Sequence, residues 1–161
     1  MRHVMADPPV TASPGMDAGD AAGLMAAHDI GALPIVEDGR LVGIVTDRDL
    51  VLRVLAERKD PRSVKVSDVA TTRRIETVTP DTQLADARAL MAERRIRRLP
   101  VVKDGELVGI VSLGDVAIGS ASMRGVGETL AQISVSEATT EVNPGPEVGT
   151  PARVKGEREA S

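Results

Sequence analysis

The stretch LPIVEDGRLVGIVTDRDL, Leu33 to Leu50, decides how this chain is read. It holds two short apolar runs, Leu33 to Val36 and Leu41 to Val45, joined across Asp38-Gly39. An Asp-Gly pair tolerates positive φ at both positions of a type I′ turn, whose twist matches that of paired strands. The runs therefore predict an antiparallel hairpin with a two-residue loop. Thr46-Asp47-Arg48-Asp49 follows directly. A Thr followed three residues later by an acid is a capping box, in which hydroxyl and carboxylate satisfy free N–H groups at a helix start. The unit is strand, turn, strand, capped helix.

The same unit returns 66 residues later as LPVVKDGELVGIVSLGDV, Leu99 to Val116. Ungapped alignment of Ile30–Leu50 with Ile96–Val116 leaves 12 of 21 residues identical. Repeats govern every later inference about a fold, and this chain reads as a tandem duplication. Two repeats of roughly 60 residues would each be marginal alone, so one globule of two halves is expected.

Working outward, Val10 to Ala12 predicts a short strand and Ser13-Pro14-Gly15 a turn. Apolar Ala18, Ala21, Ala22 and Met25 fall at helical spacing within 17–28. After the hairpin a helix from about Asp47 to Glu57 should bury Leu50, Val51, Val54 and Leu55. The first repeat then spans residues 1–58. Arg2-His3-Val4-Met5 falls opposite Ser67-Asp68-Val69-Ala70, so this repeat is expected to begin at the N-terminus with no catalytic domain before it. Residues 59–68, charged and holding Pro61, read as a linker. The second repeat, 69–122, has Ile75 to Val78 as its opening strand, Thr79-Pro80-Asp81 as its turn and Leu84, Ala87, Leu90 and Met91 as its helical stripe. It carries one residue more between its entry segment and its turn than the first repeat does. Val126, Leu130 and Ile133 predict a short C-terminal helix over 123–136, packed on the module or on a second subunit. Residues 137–161, poor in large apolar side chains, predict a disordered tail.

Net charge is −4, which gives no bulk attraction to nucleic acid or membrane. No run approaches the roughly 18 apolar residues of a membrane span, and no signal-peptide core is present. The absence of cysteine removes disulfides and thiol sites and fits a cytoplasmic protein. There is no Phe, Trp or Tyr, so a bound ring must be held by aliphatic side chains, peptide planes or arginine. His3 and His28 have no partner at catalytic spacing, and no Walker loop, GxGxxG or HExxH occurs. The residues predict neither an enzyme nor a metal site.

A hairpin ending in Gly43-Ile44-Val45-Thr46-Asp47-Arg48-Asp49, repeated as Gly109-Ile110-Val111-Ser112-Leu113-Gly114-Asp115, resembles the tandem cystathionine-β-synthase (CBS) domain pair, or Bateman module. Within that family HDIGALPI, TDRDLV and RRLPVV are most similar to small stand-alone actinobacterial proteins, the hypoxic-response type included. Some of those carry metal-linked cysteines; this chain has none. The resemblance implies an α+β fold: two β-α-β-β-α repeats related by a pseudo-two-fold axis, with two sheets and two inter-repeat clefts. It further implies clefts that bind AMP, ADP, ATP or S-adenosylmethionine, with no resident cofactor, in a homodimer that signals to a protein partner. Carried onto this chain, one cleft would use Thr46, Arg48 and Asp49 with Arg97 and Arg98. The other would use Ser112, Gly114 and Asp115 with Gly31, Ala32 and Thr11.

Elementary chemistry agrees with part of this. A carboxylate can accept from two ribose hydroxyls, and a helix N-terminus offers N–H groups to a phosphate. Arg97 and Arg98 can fork onto phosphate oxygens, which Gly31 and Ala32 cannot. The Asp49 cleft should therefore favour a phosphorylated ligand, with the Asp115 cleft weaker or empty. Two plainer readings stand beside these. Both boxes can serve only as caps, and the run Arg94, Arg95, Arg97, Arg98, whose basic patch Arg73 and Arg74 could extend, can be a solvated helix end as well as a phosphate clamp. On that reading the protein is a ligand-free interaction dimer made under stress.

Overall fold

The computed structural model describes residues 3–119 and 130–133. Strand β1 (Ala32–Glu37) and strand β2 (Arg40–Thr46) form the expected hairpin, and β3 (Arg98–Lys103) with β4 (Glu106–Ser112) repeats it. Both loops are I′ turns, with φ of 49° and 79° at Asp38 and Gly39, and 53° and 88° at Asp104 and Gly105. Each hairpin carries a bulge not foreseen in the sequence. The register shifts between Ile35 and Val36 and again between Val101 and Val102, leaving Val42 and Val108 as the extra residues on β2 and β4. The two hairpins join through one pair, Arg40 opposite Glu106, into a four-stranded sheet of order β1-β2-β4-β3. What the resemblance implies as two sheets is thus two hairpins touching at their turn ends.

Helices α1 (Ala18–His28) and α4 (Leu84–Arg94) occupy equivalent places, and each ends on a left-handed residue, Asp29 or Arg95. Asp17 caps α1 by accepting from Asp20 N–H at 2.8 Å. Ala18, Ala21 and Met25 are buried as expected, but Ala22 is exposed. The predicted opening strands shrink to single parallel bridges, Ala12 to Ile35 and Val78 to Val101.

Helix α2 (Asp47–Leu50) runs into a π-helical stretch, Val51–Leu55. The wider winding leaves only Leu50 and Val54 in the core. Val51, Leu52 and Leu55, the first and third expected to be buried, are at least half exposed. Two short helices, α3 (Val66–Val69) and α5 (Leu113–Gly119), are also present.

Each repeat has its own apolar cluster. Leu33, Ile35, Val45 and Val54 belong to the first, and Met91, Leu99, Val101, Val111 and Val116 to the second. The segments that enter the repeats are exchanged between them. Val4 and Met5, at the start of the first repeat, pack on the second cluster, and Ala6 bridges to Ile110 of β4. Val64, Val66, Val69 and Ala70, around the start of the second repeat, pack on the first cluster, and Thr71 bridges to Ile44 of β2. The stretch read as a linker is accordingly not a free spacer, since Val66 is wholly buried and Val64 C=O accepts from Ala18 N–H at 2.9 Å. Glycine stands at the crossing point in both hairpins because the entry segment passes close by. A Cβ on Gly109 would lie 3.1 Å from the Ala6 carbonyl oxygen and 2.7 Å from Met5 Sδ.

Of the C-terminal segment, residues 130–133 are helical, with Ile133 buried in the second cluster and Leu130 exposed. The rest of the helix expected over 123–136, and the tail expected over 137–161, lie outside the described residues.

Candidate functional site

Both capping boxes form. Asp49 Oδ2 accepts from Thr46 N–H at 2.9 Å and from Thr46 Oγ1 at 2.7 Å, while Asp49 N–H donates to Thr46 Oγ1 at 3.2 Å. Ser112 N–H donates to Asp115 Oδ2 at 2.7 Å, and Asp115 N–H donates to Ser112 Oγ at 3.2 Å. Ser112→Ala should therefore lower unfolding stability by about 1 kcal/mol, measurable in urea melts, whereas Ser112→Asp should retain most of it.

The Asp49 carboxylate has a further partner. Its Oδ1 lies 3.3 Å from Arg53 Nη2, and Arg53 Nη1 donates to the Val69 carbonyl at the end of α3. Any hydroxyl binding Asp49 would share Oδ1 with a guanidinium already anchored to the exchanged segment.

The N–H groups of the first turn of α2 are also taken, contrary to the phosphate role expected of them. Asp47 N–H donates to the Gly31 carbonyl at 3.2 Å, Arg48 N–H to Asp47 Oδ1 at 2.7 Å and Asp49 N–H to Thr46. Anion binding here must come from side chains.

Those side chains line one cleft of about 560 Å³ between the repeats. Thr46, Arg48 and Asp49 border it from the start of α2, and Arg97 and Arg98 from the approach to β3. All five residues assigned to the first cleft thus meet at one surface. Arg97 is placed by its backbone, whose carbonyl accepts from Leu113 N–H at 2.9 Å, the counterpart of the Asp47–Gly31 bond.

The cleft also takes in Arg95 and Arg74, weighed from the sequence only as part of a basic run and its extension, and residues with no site role there: Asp47, Thr71 and Glu76, with Ile44, Ile75, Ile96, Pro100 and Ile133 as its apolar part. Arg74 and Arg95 both have left-handed backbones, with φ of 54° and 56°. Arg74 lies in the segment that is one residue longer than in the first repeat, and that length mismatch was the available signal. Five guanidinium groups face three carboxylates, Asp47, Asp49 and Glu76, an excess of two positive charges. Glu76 is itself paired with Arg94 at 3.1 Å.

The second group of residues is less coherent. Ser112, Gly114 and Asp115 share the start of α5, but Ala32 is buried in β1, and Gly31 lies against Asp47 and Arg98 of the first cleft. A Cβ on Gly31 would fall 2.8 Å from Asp47 Oδ2 and 2.9 Å from Arg98 Nη2. Two smaller recesses lie elsewhere, one by His3, Pro80 and Gln83, the other by Ala92, Glu93 and Gln132, and neither includes Thr11, Ser112 or Asp115. Among the described residues no helix is long and apolar enough to cross a membrane, and no cluster of His, Cys, Asp or Glu could hold a metal ion.

Twofold hairpin–capped-helix repeats meeting over a cleft define a class of protein, and the sequence matches its model: residues 1–56 and 66–120 each match the CBS domain. The chain belongs to the CBS-domain family as a tandem pair. It is 42% identical over 134 residues to the CBS domain-containing protein YhcV of Bacillus subtilis, covering 83% of this chain and 94% of that protein. The structure of Hypoxic Response Protein I with two coordinated zinc ions is similar at a TM-score of 0.68 and 34% identity, covering 74% of this chain and 97% of that one. The CBS domain pair of protein MJ0100, in complex with 5′-methylthioadenosine and S-adenosyl-L-methionine, is similar at a TM-score of 0.65 and 31% identity, covering 73% and 95%.

Proposed function

We propose that this protein is a regulatory module that binds a phosphorylated adenosine ligand in the cleft between its repeats. The observation that carries the reading is the meeting of Thr46, Arg48 and Asp49 from one repeat with Arg97 and Arg98 from the other around one cationic cleft. Asp49 would take the ribose hydroxyls and the arginines the phosphates, since the N–H groups of α2 are already used. The adenosine-containing ligands named for MJ0100 support the ligand class. A ligand touching both repeats can prefer one relative arrangement of them, which is the requirement for shifting a population and altering a partner surface. The protein acts as a cytoplasmic regulator without catalysis of its own. The Asp115 site, with Gly31, Ala32 and Thr11, is the weaker one because none of its assigned residues is itself a cation.

Calorimetric unfolding with AMP, ADP, ATP and S-adenosylmethionine tests this. Ligand at 100 times its dissociation constant should add about 2.7 kcal/mol. The shift should vanish in Asp49→Ala and persist in Asp115→Ala, each compared with its own ligand-free melt so that lost caps cancel. No shift with any of the four would favour a ligand-free interaction dimer.

A homodimer belongs to both readings. Val51, Leu52 and Leu55 form an exposed apolar stripe on the π-helical stretch, which a second copy would cover. Leu55→Glu should convert a dimer to monomer in sedimentation equilibrium with an unchanged far-ultraviolet circular dichroism spectrum.

A further inference from the structure

We infer that Ile133 forms a wall of the base-binding end of the cleft, so that ligand occupancy and the docking of residues 130–133 reinforce each other. The inference rests on the adenosine reading above. A purine needs apolar contact on its faces, and this chain has no aromatic residue to supply it. The apolar part of the cleft is Ile44, Ile75, Ile96, Pro100 and Ile133. Ile44 and Pro100 stand on β2 and β3, and Ile75 and Ile96 on the segments leading into the second repeat's bridge and hairpin. Ile133 differs, because it lies 14 residues beyond the end of α5 at Gly119.

Within residues 130–133, Leu130, Ala131 and Gln132 are exposed and Ile133 alone is buried, at 6% exposure. It belongs to the second core cluster and lines the cleft at the same time. The described part of this segment is thus held chiefly through a side chain that a bound base would also touch. Two events that share one contact are coupled, and the coupling is reciprocal: ligand tightens docking by the factor by which docking tightens ligand.

The test uses the full chain and titration calorimetry with ATP and with tripolyphosphate, which carries the phosphates without the base. Ile133→Ala should weaken ATP binding about tenfold, the effect of removing most of one aliphatic contact. Tripolyphosphate should bind it as well as wild type, because every cleft arginine remains. Leu130→Ala, on the exposed side of the same turn, should leave ATP binding within about twofold. Hydrogen exchange at amides 131–133 should slow on adding ATP to wild type and not to Ile133→Ala. Should Ile133→Ala fail to fold, Ile133→Val serves, with a loss of about threefold for ATP alone.

Equal ATP affinity in wild type and variant overturns the inference while leaving the nucleotide reading intact. Equal losses for ATP and tripolyphosphate also overturn it, since that pattern means general disruption of the cleft. If wild type binds neither probe, the nucleotide reading falls and the inference with it.

Discussion

Leu99→Ala is expected to destabilise the protein by about 2 to 5 kcal/mol and to lower its melting midpoint by about 5 to 20 °C. Leu99 is fully buried on β3, among Met91, Val101, Val111 and Val116, so truncation removes apolar contact and leaves a cavity that close-packed neighbours fill only partly. Total stability of a domain is about 5 to 15 kcal/mol, so this one change consumes a large share. Its repeat counterpart Leu33 is equally buried in the first cluster. The exchange of entry segments adds a second expectation. Val4 and Met5 serve the second core while Val66 and Val69 serve the first, so neither half can open without releasing a segment bound to the other. Differential scanning calorimetry of Leu99→Ala should then show one transition, shifted as a whole. Two resolved transitions, with only one displaced, would contradict interlocked halves. Leu52→Ala, at an exposed site, should change stability by less than about 0.5 kcal/mol in the isolated subunit.

Replacing Arg97 and Arg98 together by alanine is expected to weaken ATP binding by about 100-fold or more. Each charge-assisted hydrogen bond contributes about 1.5 to 3 kcal/mol, and the N–H groups of α2 cannot substitute because they are already bonded. AMP, with one phosphate, should lose less. The salt dependence of ATP affinity should also flatten, since fewer charges remain to be screened. Arg97 is exposed and Arg98 half-buried, so folding should survive nearly unchanged. Titration calorimetry at two salt concentrations gives both quantities. Undiminished ATP affinity would remove Arg97 and Arg98 from the phosphate role and leave Arg74 and Arg95 to carry it.

The correspondence between residues and structure follows the range of the interactions involved. The I′ turns at Asp38-Gly39 and Asp104-Gly105, the two boxes, and the stripe of Leu84, Ala87, Leu90 and Met91 depend on neighbours within a few positions, and each was legible. The meeting of Asp49 with Arg97 and Arg98 was legible only through the family resemblance, because no local rule spans that separation. Misreadings occurred where a distant partner decided the outcome. Val51 and Leu55 follow a helical period but lie outside the core once α2 widens into π-helical winding. The stretch 59–68 has a linker's composition, yet Val64 and Val66 are pulled into the first core.

By itself, then, the sequence determined the duplication and the hairpin and cap of each repeat, because turn and capping chemistry act locally. Only the tertiary structure decided which half receives each entry segment, that the Asp47 N–H at the start of α2 is taken by the Gly31 carbonyl, and that Arg74, Arg95, Glu76 and Ile133 share a cleft with Asp49. Those outcomes depend on how two nearly identical surfaces pack together, and the energy of that packing resides in contacts between residues far apart in the chain.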